Sequence, residues 1–237
     1  MKRKLVAVVT NQATYGEDRR HATGLWLSEL VHFYDGVTAA GWEVDVISPS
    51  GGAVPLDPRS LGRWSRDGAT RRFQDDPARM AKLRDTPTAA DVTAAEYAGI
   101  FYAGGHGVMW DFPDDVPLQL LARTVYEQGG VVSSVCHGAC GLLNITLSDG
   151  THLVEGRTVT GFATIEEDVA RVKDRVPFLL EDELRKRGAH YVRSRVPMTP
   201  YAVSDGRLVT GQNPYSGKAV TRRILDALSL PGSTTAG

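Results

Sequence analysis

The sequence predicts an α/β fold, a mostly parallel sheet with helices on both faces, and three observations carry that expectation. Short β-branched runs alternate along the chain with stretches of helical periodicity. Several of the runs are apolar throughout, as strands buried on both faces must be. The 237 residues, 42% of them hydrophobic, give enough length to bury a core without disulfide or metal staples. One α/β domain over residues 1–230 is expected, with an excursion at about 50–88 and a flexible tail at 231–237.

The first strand is read at residues 5–10, where Leu5-Val6-Ala7-Val8-Val9 follows a basic start. Such a start can imitate a signal peptide, but an apolar run of about five residues with no small-residue cleavage site fits a buried strand better. Residues 23–40 follow as a helix, with Trp26, Leu30, Phe33 and Val37 at helical spacing on its buried stripe. After a strand at 44–48, the polar segment 50–88, rich in Pro, Gly, Arg and Asp, reads as a long excursion with a short helix around 78–83. Loops of that length are usually functional covers or interfaces. Strands are then expected at 99–102, 131–135, 158–161 and 208–211, and helices at 116–128, 138–143, 178–186 and 216–228.

Charge and cysteine content exclude several classes. With 27 basic and 28 acidic side chains the formal net charge is −1, which argues against bulk affinity for nucleic acid or anionic membrane. No apolar run reaches the roughly 18 residues of a membrane span. The two cysteines, Cys136 and Cys140, make no disulfide framework, and a cytoplasmic location is the expectation.

The strongest chemical feature is Gly129-Gly130-Val131-Val132-Ser133-Ser134-Val135-Cys136-His137-Gly138-Ala139. An apolar strand ends abruptly in Cys-His-Gly before helix-compatible residues, which is the context of a nucleophile elbow with cysteine in place of serine. A thiol at a helix N-terminus meets unpaired N–H groups and the positive end of the dipole, both favouring thiolate. Gly138 permits the sharp turn. A buried cysteine followed by a chance histidine is the plain alternative. Cys140, one turn on, is expected to pack against the sheet.

A second feature, Ala103-Gly104-Gly105-His106-Gly107, follows the strand ending in Phe101-Tyr102. Bare backbone at the carboxyl end of a parallel strand sits in the crevice where α/β proteins bind ligands. Beside an elbow it suits an oxyanion hole, with the N–H groups of Gly105 and His137 as donors. No phosphate-loop pattern is present. Third, Glu29 lies on the buried helix stripe, where desolvation should raise its pKa and leave it able to donate to a thiolate; a partly exposed glutamate at the stripe's edge is the equal alternative. His106 and His137 are candidate bases or polarisers, although the His137 side chain, directly after the cysteine, is expected to leave the elbow in another direction. Glu166 or Glu167 could orient a histidine, but an acidic helix start explains both equally well. The acids of 111–115 read as loop lining, and Asn213-Pro214-Tyr215-Ser216 as a turn and cap near the pocket. The six histidines show no zinc-type spacing, so neither metal nor cofactor is expected.

Taken together these pieces resemble the PfpI-type superfamily, which includes the parkinsonism-associated protein and relatives of class I glutamine amidotransferases. The stress-chaperone and glutathione-independent glyoxalase (glyoxalase III) branch is the nearest match. The resemblance rests on Thr23-Gly24-Leu25-Trp26-Leu27-Ser28-Glu29, Gly41-Trp42-Glu43-Val44-Asp45, Ser48-Pro49, Ala103-Gly104-Gly105-His106-Gly107 with Asp111-Phe112-Pro113, Val135-Cys136-His137-Gly138 and Val209-Thr210-Gly211-Gln212-Asn213-Pro214. It implies a flavodoxin-like fold, a homodimer and a pocket of Cys136, His137 and Glu29, with Glu167 at the further acidic position after Gly161-Phe162. Two departures stand out: Ala139-Cys140, where many relatives have proline after the elbow glycine, and the arginine-rich 63–84 segment, expected to reshape the pocket lid. The implied activity is a cofactor-free lyase turning small 2-oxoaldehydes such as methylglyoxal into hydroxy acids, with Cys136 attacking the aldehyde and Glu29, or His137 with Glu167, moving the proton. The alternatives are an amidase or protein deglycase, a redox-responsive holdase chaperone, and a pathway-specific hydratase.

Overall fold

Ten strands occur along the chain of the computed structural model, which describes residues 3–63 and 65–229. They are β1 (Lys4–Val8), β2 (Thr14–Tyr15), β3 (Asp18–Ala22), β4 (Glu43–Ile47), β5 (Gly99–Tyr102), β6 (Val131–Val135), β7 (Thr158–Val159), β8 (His190–Tyr191), β9 (Ala202–Asp205) and β10 (Leu208–Gly211). Six make the main sheet in the order β4-β1-β5-β6-β10-β9, and every pairing is parallel except the antiparallel β10–β9 edge. The chain leaves β1 first toward β4 and then returns to β5 on its other side, a reversal that opens a crevice at the carboxyl ends of these strands.

Adjacent residues of β5 show how both faces are covered. Successive side chains of a strand point to opposite faces. Phe101 stacks on Phe33 of the Leu27–Ala39 helix at a centroid distance of 4.2 Å. Tyr102 points the other way and its hydroxyl donates to the Leu118 carbonyl of the Val116–Glu127 helix at 3.3 Å. The Gly217–Leu228 helix packs beside Leu27–Ala39 and completes that side. No helix among the described residues is long and apolar enough to cross a membrane.

Several expected elements differ. The first helix begins at Leu27, not at residue 23, and Trp26 is its extended N-cap, so Trp26 leaves the core stripe. The expected strand at 158–161 pairs only at Thr158 and Val159, and with β8 rather than the main sheet. Side chains take its remaining backbone groups: Thr160 N–H donates to Thr210 Oγ1 and Gly161 C=O accepts from Tyr191. The excursion holds a helix at Gly68–Asp75 besides the short one at Pro77–Ala81, each N-capped by an aspartate, Asp67 and Asp76. A parallel bridge between Leu25 and Leu56 stitches this excursion to the chain just ahead of the first helix. The expected tail at 231–237 lies outside the described residues.

Candidate functional site

β5 and β6 run in register, Tyr102 opposite Ser134, so the chains leaving them emerge side by side. After β6, Cys136 adopts φ +57, a left-handed conformation that a non-glycine residue holds only when its surroundings impose it. The segment that follows, Cys136–Leu142, is a 3-10 turn, not the α-helix expected at 138–143. It lies flat on β5: a Cβ on Gly138 would come within 2.2 Å of the Tyr102 carbonyl oxygen, and one on Gly141 within 2.5 Å of the Tyr102 ring. So short a turn offers little macrodipole. Burial, followed by the charge of Glu29, pushes the Cys136 thiol well above its usual range, which corrects the expected bias toward thiolate. Only the His137 amide, bonding the sulfur, acts strongly the other way.

His137 does not turn away from the elbow as expected. Its Nδ1 lies 3.3 Å from Cys136 Sγ and its Nε2 2.7 Å from Glu167 Oε1. The ring is braced by Phe162, 4.4 Å away between centroids. Glu167 sits in the first turn of the Thr164–Ala170 helix, a helix the sequence reading did not delimit. Its other oxygen lies 3.1 Å from His106 Nε2. Burial alone would raise the Glu167 carboxyl, but His137 and then His106 outweigh it and hold the group below the usual carboxylate range.

The protons of this cluster follow from its donors. Arg59 Nη2 donates to His106 Nδ1 at 3.0 Å, and a guanidinium cannot accept. His106 therefore carries its proton on Nε2 and gives it to Glu167. Burial first, then the neighbouring His137, lowers His106 to about 4, so the ring is neutral at pH 7. Glu167 likewise orients His137, whose Nε2 faces the carboxylate while its Nδ1 faces the thiol. Ligand atoms of His106, His137 and Glu167 lie within 4.8 Å of one another, a set that could hold a metal ion. For His106 Nε2 to ligate, however, its proton would have to move to Nδ1, where Arg59 now donates; as they stand the contacts form a hydrogen-bonded chain from Arg59 to the thiol.

Glu29, in the first turn of the Leu27–Ala39 helix, is fully buried. One oxygen accepts the Gly104 N–H at 2.7 Å, and the other has no partner of hydrogen-bonding geometry. Burial raises the carboxyl to about 8, against the pull of Cys136 and Gly104. Gly104 is glycine because a Cβ there would lie 2.7 Å from Glu29 Oε2 and 2.8 Å from the Val135 carbonyl. Gly104→Ala is expected to cost about 1–3 kcal/mol by overpacking, read as a lowered Tm in a thermal melt.

A cavity of about 180 Å³ opens over the sulfur, with Cys136, His137, His106, Gly105 and Arg59 as its polar lining. Trp26, Phe162, Met198, Pro214 and Tyr215 supply apolar walls. Of the residues expected at the site, Cys136, His137, Gly105 and His106 line this cavity, while Glu29 lies beside the sulfur, Glu167 on the two imidazoles and Gly138 against the Tyr102 carbonyl. Cys140 is fully buried and unpaired, and Asp111 is partly buried, its carboxylate accepting from Thr10 and Asn11 and raised to about 6 by desolvation. Arg59, Trp26, Phe162 and Met198 were missed as cavity residues. No described residue of the arginine-rich 63–84 segment lines the cavity; the excursion contributes Arg59 instead, forked onto buried Asp57 at 2.6 and 3.1 Å. The one local signal for Arg59 was Asp57-Pro58, an aspartate cap before a proline-led turn, in which Asp57 accepts the Arg59 N–H.

Residues 22–227 match the family model described as DJ-1/PfpI family. The chain is 32% identical to the glutathione-independent glyoxalase HSP31 of Saccharomyces cerevisiae, over 96% of this chain and 98% of that protein. Among solved structures it is similar to the Rapid Encystment Protein 24 KDa of Francisella tularensis, with a TM-score of 0.92 and 33% identity over 97% of this chain and 100% of that one. Glyoxalase III of Candida albicans gives a TM-score of 0.88 and 29% identity over 94% and 96%.

Proposed function

From the premise that this chain belongs to the DJ-1/PfpI family, we propose that it converts small 2-oxoaldehydes such as methylglyoxal to 2-hydroxy acids without glutathione or another cofactor. The observation that carries this reading is the position of the Cys136 sulfur. It lies 3.3 Å from His137 Nδ1 and next to a Glu29 carboxyl poised near pH 8, at the base of a small, largely apolar cavity. A carboxyl with that pKa can both give and take a proton near neutrality. The names of the relatives, glutathione-independent glyoxalase and glyoxalase III, support the same reading.

In this reading His137 takes the thiol proton, and Glu167 balances the imidazolium. The thiolate adds to the aldehyde carbon, and the carbonyl π electrons move to oxygen, near the Gly105 and His137 amides. Protonated Glu29 gives its proton to that oxygen, forming the hemithioacetal and becoming a carboxylate. It then removes the hydrogen on the former aldehyde carbon as a proton, leaving an enediolate, and returns it to the neighbouring carbon. The remaining hydroxyl proton passes between the two oxygens, leaving a thioester of the hydroxy acid. Glu29 next accepts a proton from the attacking water. Collapse expels the Cys136 thiolate and restores the starting protonation, so the net reaction adds one water to the oxoaldehyde.

The 3% exposure of Cys136 and the confined cavity favour a small aldehyde over a peptide or protein amide, the ground on which the amidase and deglycase readings stand second. The lyase class, a cytoplasmic location and a homodimer belong to the same proposal; exposed Val116 and Leu120, one turn apart on a helix, supply apolar surface for association. The test is methylglyoxal consumption without glutathione, with lactate assayed in parallel. One lactate per methylglyoxal is expected, and no turnover by folded, reduced protein overturns the reading.

A further inference from the structure

The chain between β8 and β9 has no regular structure, yet polar groups hold it tightly. Met198 N–H donates to Glu166 Oε1 at 2.8 Å, and Asn213 Nδ2 donates to the same oxygen at 2.8 Å. Asn213 Nδ2 also bonds the Thr199 carbonyl, and Ser194 N–H donates to Gln212 Oε1 at 2.7 Å. Glu166 is fully buried, and its second oxygen accepts the Ala163 N–H at 3.1 Å. A buried carboxylate is costly unless its oxygens are used, and the bonds of this one go to the loop, to Asn213 beyond β10 and to its own helix start. The chain of contacts from Arg59 through His106 and Glu167 to His137 does not involve it. Two consecutive glutamates therefore diverge: Glu167 holds the imidazoles, and Glu166 holds the backbone of Met198.

Met198 has φ +58, a conformation that suits glycine. Instead a long, unbranched thioether stands there, partly exposed and lining the cavity that Cys136 also lines. Tyr215 and Pro214, next to the Asn213 clamp, line the same cavity.

We propose that Met198 is the size gate of the cavity, positioned by Glu166, and that the site admits 2-oxoaldehydes bearing short alkyl groups and excludes aryl ones. The substrate class rests on the function proposed above; the gate itself does not. Removing the Met198 side chain opens the route to Cys136, and loosening Glu166 lets the gate drift.

The test separates the two by alkylating Cys136 in the full chain with iodoacetamide and with N-phenylmaleimide, followed by mass spectrometry, Cys136→Ala giving the background. In Met198→Gly and Met198→Ala the ratio of aryl to small-reagent rate constants is expected to rise about tenfold or more, the range in which pocket contacts discriminate by size. Met198→Gly suits φ +58 and so retains the fold; Met198→Ala removes the side chain without freeing the backbone. Glu166→Gln, which puts an amide where Ala163 N–H needs an acceptor, is expected to raise the ratio less. An unchanged ratio in both Met198 variants overturns the gate, and so does a rise in the glycine variant alone, which would assign the effect to loop freedom. The ratio of kcat/KM for phenylglyoxal over methylglyoxal is expected to rise in parallel, and a flat ratio overturns the substrate class. Wild type inactive on both aldehydes sinks the proposed function and the substrate class with it, while the alkylation ratio still decides the gate.

Discussion

Cys136→Ala is expected to lower methylglyoxal turnover at least about a thousandfold while leaving the fold intact. The sulfur is the only atom lost, and alanine tolerates φ +57 no worse than cysteine does. Cys140 cannot substitute, because it is fully buried and burial raises its thiol well above the usual range. Lactate formation and a thermal melt on the same preparation check the result. Turnover within tenfold of wild type, in protein that melts normally, would remove the nucleophile from the mechanism.

Glu29→Gln is expected to lower turnover by about 10²- to 10⁴-fold, because glutamine can donate a hydrogen bond but cannot carry a proton between two carbons. In the wild type the attacking state needs protonated Glu29, whose pKa is raised to about 8. Its kcat/KM is therefore expected to fall as pH rises through about 8, and this limb is expected to vanish in the variant. Stability has a fixed sign as well. A carboxyl whose folded pKa lies above its unfolded value gives full stability below about 4.5 and loses it progressively as pH rises to about 8. At pH 9 the wild type buries a charge that the glutamine variant lacks. Glu29→Gln is thus expected to melt higher than wild type at pH 9, by an amount on the order of a few kcal/mol, and to show much less advantage at pH 5. An alkaline limb that persists in the variant would assign the titration to another group.

The parts of the site that were legible depend on neighbours close in sequence. Cys136 was readable because an apolar strand stops at Cys-His-Gly, and Glu29 because its spacing from Phe33 puts it on the buried stripe. The mostly parallel sheet with helices on both faces follows from apolar runs alternating with helical patterns, whereas the strand order does not. What was not legible is set by contacts between distant segments. The direction of His137 is fixed by Glu167, thirty positions on, and Arg59 reaches His106 across 47 positions. Trp26 misled because a helix's periodicity does not say where it starts. β9 is a short edge strand with half-polar composition, as edges often are. Its signal was present in Asp205-Gly206, where Gly206 has φ +59 between antiparallel strands, the usual mark of a tight hairpin. The β2–β3 hairpin, with Asp18-Arg19-Arg20-His21 on one strand, offered no apolar alternation to read.

The Leu25–Leu56 bridge has a consequence for how the excursion bears on the site. It fastens the excursion at its beginning, and Arg59, three residues beyond, is the one described residue of the excursion that reaches the cavity. The helices Gly68–Asp75 and Pro77–Ala81 lie downstream of that stitch. They are tied back to the Leu27–Ala39 helix, with Asp67 2.8 Å from His32, Arg79 2.6 Å from Asp35 and Phe73 edge-on to Tyr34, so the same segment also braces the helix that carries Glu29. The excursion is in this sense a brace on the helix of Glu29 as well as a plug for the cavity, and a change in its far portion is transmitted to the acid before it is felt by the base.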